Sequence, residues 1–328
     1  MVHEKIDIKD AFTRIEKEMY TTKLLETNEI NQKFGIRIFV KPECKQRTGS
    51  FKYRGAYNYV SKLLHKSKMP DLVCFSSGNH GKAVAAVARK FNLNSTIFMP
   101  ETAPKYKILN TKKYNSNVIL HSGTRASMEK RAIEYAKKNN SNLIRPFDDK
   151  DIIAGQGTIG IEICREFKEK KLNLDAVLIP CSGGGLAAGI ALAVKEVFPM
   201  AKIHPVEPEN YDDTTRSLQA SKILSNKNLT KSSICDALLV PKPGNITFKI
   251  NQKLLSNGIT VSDDDVIQAM QIGYKYFNLI LEPGGAVGLA VLLKKKFNEK
   301  YKNIVIIASG GNISKEIHNS YMGQITRK

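Results

Sequence analysis

Along most of the chain, short apolar runs of strand length alternate with helix-length stretches. The pattern predicts strands over residues 71–76, 95–99, 117–121, 142–145, 176–180, 202–206 and 303–309. It predicts helices over 80–91, 125–138, 157–169, 186–198 and 263–277. Alternation of this kind builds parallel sheets with helices on both faces, an α/β fold. Several of the strands are apolar throughout, as expected when both faces are buried. The strands fall into two series, 71–145 and 176–309, with Pro146-Phe147-Asp148-Asp149-Lys150-Asp151 reading as the crossing between them. Residues 210–243 are the least regular and read as a surface excursion.

Composition narrows the function classes. With 328 residues the chain can bury a large core and divide into two lobes. No run approaches the roughly 20 apolar residues of a membrane helix, and the mixed charges of the first residues do not form a signal core. The 5 cysteines are scattered without a Cys-x-x-Cys pair, which fits a reducing cytoplasm and neither a disulfide framework nor a zinc site. A formal charge of +20 raises nucleic-acid binding. Yet the lysines are dispersed, and no nucleic-acid motif accompanies them. Their densest cluster, Lys294-Lys295-Lys296, falls at a predicted helix end, where cations suit the dipole. No nucleic-acid or membrane partner is expected; a positive field equally suits a small anionic substrate.

Four segments carry candidate chemistry. Ser182-Gly183-Gly184-Gly185-Leu186 lies between a predicted strand and helix, where consecutive glycines can turn backbone N–H groups around a phosphate. It matches neither a Walker A loop nor a dinucleotide fingerprint, and a tight turn uses the same residues. Ser76-Ser77-Gly78-Asn79-His80 offers donors for a carboxylate at a helix start, or simply an N-cap. Ser309-Gly310-Gly311-Asn312 closes an apolar strand and places a hydroxyl where a heterocyclic nitrogen could be met. Glu282-Pro283-Gly284-Gly285 offers a carboxylate or a helix start with proline at its first position. A fifth segment, 207–213, gathers 4 carboxylates, suited to Mg²⁺ or Ca²⁺ or to plain solvation.

In this order the segments resemble the fold-type II pyridoxal 5'-phosphate (PLP) enzymes, the tryptophan-synthase-β-like family. The branch they most resemble is that of serine/threonine dehydratases (ammonia-lyases) and serine racemases. The resemblance also covers Ser50-Phe51-Lys52-x-Arg54-Gly55-Ala56, Met99-Pro100-Glu101-x-Ala103-Pro104 and Ala154-Gly155-Gln156-Gly157-Thr158, so it spans nearly the whole chain. It implies a large PLP-binding domain from residues 1–70 and 148–328, and a small mobile substrate-binding domain from 71–147. Lys52 would be the Schiff-base lysine and would then move the Cα proton, with Phe51 beside it. Asn79 would contact the ring hydroxyl, Ser182, Gly183, Gly184, Gly185 and Leu186 the phosphate, and Ser309 the pyridine nitrogen, with Glu282 bordering the cofactor. Ser76, Ser77, Gly78, Asn79 and His80 would hold the substrate carboxylate. Glu207, the Tyr211 carbonyl and Asp213 match the divalent-cation site of the racemase and hydroxyaspartate members.

The reaction this resemblance implies is β-elimination of a hydroxy-amino acid such as L-threonine or L-serine, in a cytoplasmic homodimer. Ser77 matches the second acid/base of racemases, where many dehydratases carry alanine, so racemisation is an alternative. Elimination from 3-hydroxyaspartate with a divalent cation is another. A protein that merely binds the cofactor is disfavoured, because Lys52, Asn79, the glycine loop and Ser309 are all retained. Two positions depart from the family pattern: Ser182 stands where many relatives have a fourth glycine, and Arg145 where they often have histidine. The residues after Asn312 are too few for the C-terminal regulatory domain of biosynthetic threonine dehydratases, so feedback through such a domain is not expected.

Overall fold

The computed structural model describes residues 6–66, 69–226, 233–294, 297 and 301–323. Two parallel sheets organise the chain. The larger has five strands in the order β1-β9-β6-β7-β8: β1 (Arg37–Lys41), β9 (Asn303–Ile307), β6 (Ala176–Pro180), β7 (Lys202–Pro208) and β8 (Ile259–Val261). The smaller has four, β4 (Asn117–His121), β3 (Ser95–Pro100), β2 (Leu72–Phe75) and β5 (Asn142–Leu143), in that order. All pairings are parallel.

Both sheets are covered on both sides, which is why their strands lack polar alternation. In the larger sheet Ile38, Val40, Leu178, Ile304 and Ile306 pack under α11 (Asp263–Phe277) and α12 (Pro283–Ala290). Its other face, with Phe39, Val177, Ile179, Val305 and Ile307, meets α7 (Lys150–Glu169) and α8 (Gly185–Val197). In the smaller sheet Leu72, Cys74, Ile97 and Met99 face α3 (Lys52–Leu64) and α4 (Asn79–Lys90). Val73, Phe75 and Phe98 face α6 (Arg125–Lys138). The expected α/β class is therefore found. Among the described residues no helix is long and apolar enough to cross a membrane.

Several boundaries differ from the sequence expectation. Strands β1 and β8 were not anticipated, and β5 ends before Arg145, next to a proline that cannot donate to a ladder. Helix α7 begins at Lys150 instead of residue 157. Asp149 caps it, accepting from the N–H groups of Asp151 (2.8 Å) and Ile152 (3.0 Å), so the expected crossing is partly helix. Glycines in its first turns permit close packing. A Cβ on Gly155 would lie 2.6 Å from the Gly55 Cα of α3, so the two helices touch backbone to backbone. The stretch 210–243 is a surface excursion only in part: residues 219–222 are exposed, but α9 (Asp213–Gln219) has Asp213, Thr214 and Ser217 fully buried. Lys294 follows a 3-10 turn, Val291–Leu293; Lys295 and Lys296 lie outside the described residues.

Beneath α3 lies a buried ionic cluster. Arg54 donates to both Glu43 oxygens (2.8 Å each) and to Glu162 (2.6 and 3.0 Å). Lys41, inside strand β1, adds a 2.6 Å bond to Glu162. Two cations against two carboxylates, with Thr22 and Thr158 completing the hydrogen bonds, are the terms on which buried charge is tolerated.

Candidate active site

The cleft lies beyond the C-terminal ends of strands from both sheets, where open α/β folds place their ligands. Three strand ends contribute: β2 through Ser76–His80, β6 through Ser182–Leu186, and β9 through Ser309. The starts of α3 and α12 add Phe51, Lys52, Glu282 and Gly284. The empty space is about 910 Å³. All the cofactor and substrate residues singled out in the sequence thus line one cavity; Glu207, Tyr211 and Asp213 do not.

Lys52 is the first residue of α3. The segment leading into it is pinned to the last strand: the Phe51 N–H donates to the Ser309 carbonyl (3.1 Å), and Ser50 bridges to Gly310. The Lys52 ammonium has no carboxylate partner among the described residues and donates to the Pro146 carbonyl (2.6 Å). Burial, reinforced by the nearby Arg125 guanidinium, pulls its pKa down to about 7. Burial and the Lys52 charge likewise pull His80 down to about 3; as a neutral ring it donates from Nε2 to the Ile144 carbonyl (3.0 Å). His80 thus ties the start of α4 to the Ile144 main chain.

Asn79 is oriented from both ends. Its Nδ2 donates to Glu282 (2.5 Å), and its Oδ1 accepts from Asn312 Nδ2 (2.6 Å). Lys82 in turn donates to Asn312 (2.7 Å). The polarity of this chain fixes which way the Asn79 amide is turned. Burial pushes Glu282 up to about 7, and its second oxygen is buried with no hydrogen-bond partner. At the mouth Lys107, from α5 (Lys105–Lys112), pairs with Asp236. Burial works against the Lys107 charge, but Asp236 and Glu282 outweigh it and hold its pKa high.

The glycine loop leads directly into α8, and Gly184 sits at φ +90°, a conformation that favours glycine. The Ser182 hydroxyl accepts from the Val240 N–H (3.1 Å), so serine in place of a fourth glycine serves to tie the loop to its neighbour. Loop N–H groups at a helix N-terminus suit a phosphate. A buried amine suits an aldehyde, and the neutral Ser309 hydroxyl suits a ring nitrogen. The residues present therefore fit pyridoxal phosphate.

Sequence reasoning did not single out Arg125, Lys107, Asp236 or Phe147 as wall residues. Lys107 had one faint signal, its place just after the Met99–Pro104 motif. Arg125 makes no hydrogen bond or ion pair among the described residues; Glu129, the carboxylate that acts on it, is paired with Arg145 (3.1 Å).

Behind the glycine loop lies the acidic segment. Glu207 is fully buried, accepting from the N–H of Thr214 (2.9 Å) and from the N–H and hydroxyl of Thr215 (2.7 Å each). Asp213 is also buried; one oxygen accepts from Asn226 (2.7 Å) and the other has no partner. Burial raises both carboxyl pKa values, and Glu207 raises that of Asp213 further. These are not solvated loop charges. Among the described residues they form a pair, with no third acidic, histidine or cysteine ligand completing a cluster.

Comparison with known proteins agrees with this geometry. The family model described as "Pyridoxal-phosphate dependent enzyme" matches residues 15–310. The chain is 35% identical to the serine racemase of Arabidopsis thaliana, over 94% of this chain and 92% of that protein. It is 36% identical to the L-threo-3-hydroxyaspartate ammonia-lyase of Saccharomyces cerevisiae, again over 94% and 92%. Among solved structures, maize serine racemase superposes with a TM-score of 0.89 at 32% identity, covering 97% of this chain and 96% of that one. A threonine deaminase superposes equally well, with a TM-score of 0.89 at 33% identity over 94% of this chain and 98% of that one. A cleft built around a buried lysine, matched along nearly its whole chain, places this protein among the pyridoxal-phosphate dependent enzymes of fold-type II.

Proposed function

We propose that the protein is an ammonia-lyase that removes the β-hydroxyl of a hydroxy-amino acid, releasing a 2-oxo acid and ammonia. The observation that carries this reading is the buried Lys52 amine, lowered to about 7 and, among the described residues, without a carboxylate to keep it charged. An amine so poised can take the substrate's Cα proton near neutral pH. Pyridoxal phosphate, when bound, supplies the electron sink that makes that proton acidic.

The remaining residues bind and orient. The Ser76–His80 turn, at the start of α4, presents donors for the substrate carboxylate. Ser182–Leu186 holds the cofactor phosphate, Asn79 its ring hydroxyl and Ser309 its ring nitrogen. A neutral serine there stabilises a ring cation less than a carboxylate would, which favours prompt departure of the β-hydroxyl. Residues 71–147 act as the small domain that closes over substrate. Glu207, the Tyr211 carbonyl and Asp213 hold a divalent cation, supported by the unpartnered Asp213 oxygen.

One observation favours a dicarboxylic substrate, 3-hydroxyaspartate, over threonine or serine: Arg125 stands in the cleft wall with no ion-pair partner among the described residues. Ser77, which lines the cleft without a hydrogen bond among those residues, supports racemisation beside elimination. The deciding experiment is 2-oxo acid release from L- and D-serine, L- and D-threonine and the 3-hydroxyaspartate isomers, each with Mg²⁺ and with chelator. Turnover of at least one substrate is expected. No release across the panel, with the cofactor bound to Lys52, would overturn the lyase reading in favour of racemisation.

A further inference from the structure

Every carbonyl in the first half of the glycine loop is held from behind by a side chain. The Ser182 carbonyl accepts from the Thr214 hydroxyl (3.2 Å). The Gly183 carbonyl accepts from the Thr247 hydroxyl (2.7 Å) and the Gly244 N–H (3.2 Å), and the Gly184 carbonyl from Asn251 Nδ2 (3.2 Å) and the Ala188 N–H (2.9 Å). All three side-chain donors are fully buried, and none lines the cleft that the loop itself lines. Thr247 and Asn251 lie one turn apart on α10 (Asn245–Leu254), so a single helix face presents both. That helix is fixed in turn by Asp148, whose carboxylate accepts from the N–H groups of Asn245 (3.0 Å), Ile246 (2.7 Å) and Thr247 (3.1 Å).

A trans peptide points its C=O and the following N–H in opposite directions. Holding the carbonyls of Ser182, Gly183 and Gly184 away from the cleft therefore turns the N–H groups of Gly183, Gly184 and Gly185 toward it. A glycine run has no side chains of its own to fix its peptide planes, so their orientation is set by these buried donors. We propose that Thr214, Thr247 and Asn251 are positioning residues for the cofactor phosphate, acting through the peptide planes of the loop without touching the cofactor. The inference rests on the reading that residues 182–186 hold that phosphate.

The test compares pyridoxal phosphate with pyridoxal, which lacks only the phosphate, by absorbance titration of the cofactor-free protein. Thr247→Val and Asn251→Leu each weaken pyridoxal phosphate about tenfold, the worth of one buried hydrogen bond, and leave pyridoxal within about twofold. Thr247→Ser keeps the hydroxyl and restores the affinity. Thr214→Val leaves α10 untouched and gives the same result should Thr247→Val fail to fold. Equal losses for the two ligands, or no loss for either, would overturn the proposal. Hydrogen exchange separates this from failure of the underlying reading: pyridoxal phosphate must protect the amides of 182–186 in the unaltered protein. Absence of that protection would remove the loop from the phosphate site altogether.

Discussion

The Lys52 Nζ donates to the main-chain carbonyl of Pro146 at 2.6 Å, so the lysine that opens α3 is steadied by the segment leaving the smaller sheet. The carbonyl brings no negative charge to hold the ammonium, so burial, with the nearby Arg125 guanidinium, decides the charge state. Burial lowers the pKa from 10.5 to about 7. Between those values the unfolded chain binds a proton that the folded protein does not, so stability rises with pH across that window. The penalty is absent above about 10.5 and complete below about 7. In urea unfolding of the cofactor-free protein from pH 7 to 10, Lys52→Met should be more stable than the unaltered chain, by a margin that shrinks as pH rises. A constant margin would mean that Lys52 titrates normally. The same variant should lose borohydride-trapped attachment of the cofactor.

Ser77 separates two outcomes. Ser77→Ala should abolish interconversion of L- and D-serine, followed by chiral chromatography, while sparing 2-oxo acid release. Loss of both activities together would show that the hydroxyl serves substrate binding instead.

For the buried acidic pair, added Mg²⁺ should raise the thermal midpoint of the protein, by mass action worth about 2.7 kcal/mol at a hundredfold excess over the dissociation constant. Chelator should reverse the rise. Asp213→Asn should melt at the same temperature with and without the cation. A shift that survives in this variant would place the cation elsewhere.

The ionic cluster under α3 makes Arg54 a costly charge to remove. Arg54→Met leaves Glu43 and Glu162 buried with only Lys41 between them, and should lose about 3–5 kcal/mol in urea unfolding. Arg54→Lys should not rescue it fully, because a single ammonium cannot reproduce the forked bonds to both carboxylates.

How far the sequence could be read depended on where chemistry sits relative to backbone. The three turns at Ser76, Ser182 and Ser309 were legible because a strand end followed by small residues allows few arrangements. Strand β1 was not, since Lys41 looks like a surface residue until Glu162, 121 positions later, is seen to pair with it. Arg125, Lys107 and Asp236 were hidden for a similar reason. In a chain with 51 Lys+Arg and 31 Asp+Glu, a single charged side chain carries no local mark of facing a cleft. The burial of Asp213 decided against plain solvation, one of the two readings its segment left open, because it depends on Asn226 and the packing of α9, neither of which is visible in the segment itself.

The contact between Gly55 and Gly155 sets a limit on how this molecule can vary. With the Gly155 α-carbon facing the α3 backbone, even one methyl group has no room, and the displaced element would be the helix that begins at Lys52. Substitution at either glycine should therefore register as lost cofactor chemistry as well as lost stability, although both lie outside the cleft. In a saturation library scored separately for folding and for cofactor attachment, these two positions should stand out as points of intolerance on both scales.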